Sequence, residues 1–79
     1  MELVIKDLRY GCFEVVAICN ECKKPLFNRS FSWDSDHIGI NDTEKIIEVM
    51  EQKRFEEEIN YCYKCGHDIA LDTEVIIFD

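Results

Sequence analysis

The chain is poor in glycine, proline and positive charge. Its 79 residues hold one proline, three glycines, and nine Lys plus Arg against seventeen Asp plus Glu. The three glycines form neither a GxxxxGK[ST] loop nor a GxGxxG turn, so these phosphate-cradling motifs are excluded. No HExxH is present. The H-x-E and P-C-x-x-C signature of zinc deaminases is missing too: His37 precedes Ile38-Gly39, His67 precedes Asp68-Ile69, and no proline stands before either cysteine pair. No apolar run approaches the ~20 residues that span a bilayer. The opening MELVIKDLRY alternates charge without a signal-type apolar block, so a cytoplasmic setting is expected. A net charge of −8 makes the chain a poor general ligand for phosphate backbones. It suits basic surfaces instead.

Cysteine is abundant by contrast. ICNECKKP (18–25) and YCYKCGHD (61–68) each hold a CxxC pair, with 39 residues between the pairs. A chain this short buries a marginal core, and a staple compensates for that. In a reducing compartment five cysteines favour metal ligation over disulfides. Zinc takes four tetrahedral ligands in structural sites, and Cys19, Cys22, Cys62 and Cys65 supply four sulfurs from two turns. Gly66 suits a positive-φ position after the second pair; Lys23 holds the matching place in the first. Lys23, Lys24 and Lys64 flank the sulfurs. A redox dithiol would open a helix in a βαβ context, and neither pair is followed by a helical pattern. Cys12 has no CxxC partner and reads as a small core or turn residue. His67 reads as a solvated loop residue, and His37 has no identifiable partner.

LVIKDL (3–8) and FEVVAIC (13–19) flank Tyr10-Gly11 and read as a hairpin. LFNRSFSW (26–33) alternates as a half-exposed strand, and DSDHIGIND (34–42) reads as loop. Asn41 and Glu44 have capping-box spacing, so a helix is expected at about residues 42–53. At about 100° per residue it groups Ile46, Ile47 and Met50 on one face, with Val49 at the edge, and Glu44, Glu48 and Glu51 on the other. Phe55 would fall inside that acidic face if the helix continued. The preferred reading ends the helix near Lys53 and places Phe55, Glu57, Ile59 and Tyr61 on a strand entering the second CxxC. EVIIF then follows as another strand, giving two strand–CxxC–strand units.

CYKCG closely, and CNECKK loosely, resemble the knuckles of zinc ribbons, over roughly residues 13–33 and 55–78. The resemblance implies small zinc-stabilised antiparallel hairpins; the chain departs from it in the N-terminal strand and in the 34–54 insert with its helix, so the expected class is α+β, in a single zinc-binding domain over residues 1–79. The resemblance implies no activity, because ribbon proteins differ widely in role.

Four thiolates also close a zinc ion to reacting water, so no enzyme activity is expected. Residues 34–58 hold nine acids and three bases; the remainder holds eight and six. The insert thus carries most of the negative charge. Trp33, Asp34, Asp36, Glu44, Glu48, Glu51 and Phe55 form the candidate partner surface, in which acids steer and aromatics anchor. The expected partner is a protein with a basic surface, such as a nucleic-acid enzyme. Direct nucleic-acid binding, membrane contact and a small-molecule substrate are not expected. In size, acidity and lack of catalytic motifs the chain looks like small phage-encoded inhibitors, including anti-CRISPR proteins that bind Cas nucleases. An accessory factor of transcription using Lys23, Lys24, Arg29 and Lys64 is the alternative. A zinc-linked thiol redox switch is a third.

Overall fold

The computed structural model of the chain describes residues 1–69 and 75–78. Its elements are β1 (Glu2–Arg9), β2 (Cys12–Ile18), β3 (Pro25–Ser32), α1 (Trp33–Asp36), α2 (Thr43–Glu56) and β4 (Val75–Phe78). The strands form one mixed sheet in the order β3-β2-β1-β4. The α+β class is as expected, and no helix among the described residues is long and apolar enough to cross a membrane.

The β1–β2 hairpin turns through Tyr10 and Gly11, both at positive φ (55° and 76°), the conformation that matches strand twist in two-residue turns. Alternation then sorts the side chains. On β2, Phe13, Val15 and Ala17 are buried while Glu14, Val16 and Ile18 lie between them, half-buried, on the other face. Leu3 and Ile5 of β1 and Phe31 of β3 join the buried face. Phe13 and Phe31 are direct cross-strand partners and stack at 5.0 Å between centroids. Helix α2 contributes Ile46 and Met50 to this core, and Ile38 joins from the preceding loop. Cys19 falls in phase with residues 13, 15 and 17, so the first cysteine of the first CxxC pair is carried into the core side by the strand itself.

Four local expectations are corrected. The segment 34–42 is not all loop, since Trp33–Asp36 form one helical turn. The Asn41–Glu44 capping box does not form. Asp42 is the N-cap, and its carboxylate accepts from the Gly39 N–H at 2.8 Å rather than from the helix. The helix runs to Glu56, so Phe55 lies on it and residues 55–61 do not form a strand. The second CxxC has no hairpin of its own. Tyr61 and Asp68 make an isolated bridge, and β4 pairs in parallel with β1 at the sheet edge. Glu74, the first residue of EVIIF, lies outside the described residues.

The helix end explains the misplaced boundary. The Ile59 N–H donates to Arg54 O at 3.0 Å and the Glu58 N–H to Phe55 O at 3.1 Å. These are the two bonds of a Schellman stop. Its left-handed position usually takes glycine, but Glu58 occupies it at φ 55°. We expect Glu58→Gly to stabilise the protein by about 1 kcal/mol, by removing this strain and an acid from a helix C-terminus. Chemical denaturation checks it; no gain, or a loss, would show that the Glu58 side chain is itself stabilising.

Candidate metal centre

The two CxxC turns are copies in backbone as well as in sequence. In the first, the Cys19 N–H donates to Lys24 O and the Lys23 N–H to Cys19 O, each at 3.0 Å. In the second, the Cys62 N–H donates to His67 O at 2.8 Å and the Gly66 N–H to Cys62 O at 2.6 Å. Both bonds run between the same relative positions. Lys23 and Gly66 both take positive φ (59° and 80°), as their shared place in the motif requires. The β2–β3 connection presents the first turn. The Tyr61–Asp68 bridge and the Ile69 N–H to Asn60 O bond close the base of the second.

These turns bring Cys19, Cys22, Cys62 and Cys65 together, with all four sulfurs within 4.8 Å of one another. Cys19 Sγ lies 3.5 Å from Cys65 Sγ, and Cys22 Sγ lies 3.6 Å from Cys62 Sγ. A tetrahedral ion at about 2.3 Å from each sulfur sets them about 3.8 Å apart. The cluster therefore fits a metal ion held by four sulfurs. Cys19 and Cys62 are fully buried, Cys22 is half-buried and Cys65 is exposed. The site thus sits at one end of the core with one ligand at the surface.

The protein environment already divides the thiols. Burial opposes the Cys62 thiolate, yet the Cys65 and Lys64 N–H groups and the neighbouring sulfurs bring its pKa down to about 6. At Cys65 the His67 N–H favours the thiolate, but partial desolvation of the sulfur and the other three sulfurs push the pKa up to about 12. Crowded thiols cannot all ionise unaided, and a divalent cation removes that conflict.

The other sequence candidates scatter. Cys12 lies outside the sulfur cluster, its thiol facing Tyr10 O at 3.9 Å. His67 is not a member either; its Nδ1 lies 3.8 Å from Glu21 Oε1, linking the rims of the two turns. His37 caps α1 in a left-handed conformation and meets the Trp33 ring edge-on at 6.0 Å. Asp36 accepts from the Ser32 N–H at 2.9 Å and from Arg29 at 3.0 Å. The Ser32 N–H and then Arg29 hold its carboxyl below the usual value. Both oxygens of Glu51 are engaged by Arg54. Trp33, Asp34, Glu44, Glu48 and Phe55 are exposed.

Sequence reasoning missed Arg54, Tyr61 and Tyr63. Arg54 is buried at the end of α2. Tyr61 and Tyr63 flank buried Cys62 and are 60% and 70% exposed. Spacing alone did not signal them: the neighbours of buried Cys19, Ile18 and Asn20, are half-buried, whereas those of buried Cys62 are exposed. Compared with protein-family models, curated proteins and solved structures, the chain matches none.

Proposed function

We propose that this chain is a non-catalytic protein-binding module, stapled by a structural Zn2+ ion on Cys19, Cys22, Cys62 and Cys65. Zinc is chosen because a closed set of four thiolates from two CxxC turns is its common structural site. The most specific form of the proposal is an inhibitor of the anti-CRISPR kind. It would occupy a basic nucleic-acid-binding surface, such as that of a Cas nuclease, and block loading of DNA or RNA.

One observation carries the reading. Phe55 is 75% exposed on α2, at the end of the stripe begun by Glu44, Glu48 and Glu51. At about 100° per residue these four positions fall on one line of the helix. A large aromatic set among acids fits a contact that is steered by charge and anchored by an apolar ring. Trp33, 54% exposed, adds a second candidate anchor.

The basic edge of the alternative reading is weakened by internal pairing. Lys23 bonds Glu2 at 2.6 Å and Arg29 bonds Asp36 at 3.0 Å. Binding to nucleic-acid enzymes is tested with wild type and Glu44→Lys/Glu48→Lys. Glu51 is left intact because it holds Arg54. We expect wild type to reduce nucleic-acid loading in a salt-sensitive manner, and the double variant to bind at least tenfold more weakly with unchanged melting. Equal affinity of the two proteins rejects the acidic face.

A further inference from the structure

We propose that the notch beside the second cysteine turn anchors one large apolar side chain of a partner protein, within a segment flanked by lysine or arginine. This rests on the protein-binding reading above and locates a further anchor for it. The notch holds about 190 Å³ and is lined by Leu26, Glu58, Ile59, Asn60, Tyr61 and Tyr63. Its floor is apolar: Leu26 and Ile59 are half-buried and packed on the core.

Three structural facts fix the shape of this notch. The Schellman stop reverses the chain after α2 and delivers Ile59 toward the core. The Tyr61–Asp68 bridge closes the base of the second turn, and Tyr61 and Tyr63 are exposed on either side of buried Cys62. The metal cluster then holds Cys62 against Cys22 of the first turn, next to the start of β3 where Leu26 sits. The aromatic walls are therefore positioned by the staple rather than by a flexible loop. Aromatic walls around an apolar floor suit an anchoring pocket.

Charge selects the occupant. Glu58 lies in the notch wall, and Glu56, Glu57 and Glu58 are consecutive exposed acids leading into it. Lys53 answers Glu57 at 3.1 Å and Gln52 answers Glu56 at 3.1 Å. Lys64 lies over the Tyr63 ring, 5.7 Å from its centroid. Exposed tyrosines could also stack bases, but that needs a basic groove to track the backbone. Glu56, Glu57 and Glu58 oppose it, as does the net charge of −8. A second copy of this chain would bring the same negative charge to the contact.

The test uses the metal-loaded full chain and synthetic peptides, read by NMR on the backbone amides and on the Leu26 and Ile59 methyl groups. One peptide has phenylalanine between lysines. The controls replace phenylalanine by alanine, or the lysines by glutamates. The phenylalanine–lysine peptide should move both methyl signals, with at least tenfold weaker binding for either control. Tyr63→Ala should lose at least tenfold in affinity while keeping its metal and melting point; if that variant fails to fold, the wild-type panel decides. Unmoved methyls, or equal binding of the controls, overturn the notch. Oligo-dT moving these signals where the peptide does not overturns it in favour of base stacking. Concentration-dependent shifts without any additive overturn it in favour of self-association. Peptide shifts confined to Glu44, Glu48 and Phe55 overturn the notch while leaving the protein-binding reading standing.

Discussion

Cys62→Ser is expected to leave the chain unfolded or molten at neutral pH, and a strong chelator should do the same to wild type. Metal binding to small zinc domains contributes on the order of 10 kcal/mol to folding. A domain of this length has a net stability of about 4–12 kcal/mol, so losing the metal consumes most or all of it. Cys62 is also fully buried, and a serine there would place an unsatisfied hydroxyl among three thiols. Cys12→Ser is the internal control and should change little, since Cys12 is outside the cluster. The sign of the pH effect follows from the ligands. Bound thiolates have folded pKa values below the free value of about 8.5. Their stabilisation is present above that value and is lost as pH falls through the folded one. Cys62 already sits near 6 by virtue of its N–H donors. Acid should therefore release metal and unfold the chain in one step, with circular dichroism and metal release coinciding. A chelator-washed, metal-free protein that is still fully folded would sink the proposed staple.

The parts of this structure that were legible in the sequence are those whose information is local. A CxxC spacing with a positive-φ residue after it specifies its own turn, and two such turns specify a four-sulfur group. The β1–β2 hairpin was legible because Tyr10-Gly11 separates two apolar strands. The end of α2 was not. Its stop is a backbone motif with glutamate where glycine usually signals it, so nothing in the residues from Phe55 to Glu58 announces the turn. The place of β4 was also illegible. An apolar run such as VIIF suits a hairpin partner or a parallel edge equally, and the choice depends on contacts with β1 that are remote in sequence. The same remoteness hid the notch, which combines Leu26 with residues more than thirty positions later.

The α2 stop also concentrates stability in one side chain, and Arg54→Ala should cost about 2–3 kcal/mol. Arg54 is 9% exposed. Its Nε and Nη2 donate to the two Glu51 oxygens at 3.0 and 2.9 Å, and its Nη1 donates to Ile59 O at 3.1 Å. Removing one partner from a buried ion pair costs about 3–5 kcal/mol. Here the Glu51 side chain is 39% exposed, so water can rehydrate its carboxylate and the cost falls below that range. What water replaces less well is the bond to Ile59 O, which ties the stop to the helix it ends. For a domain of this size the loss corresponds to a melting-point drop of roughly 10–20 °C. Arg54→Met separates packing from hydrogen bonding, because it keeps an apolar stem and removes every donor. If packing dominates, the methionine variant stays within about 1 kcal/mol of wild type. If the bonds dominate, as the three short contacts imply, it falls near the alanine variant. Loosening this stop should also blur the notch, since Ile59 is set by it. The Arg54 variants are therefore expected to weaken peptide binding at Leu26 and Ile59 while retaining a full complement of metal.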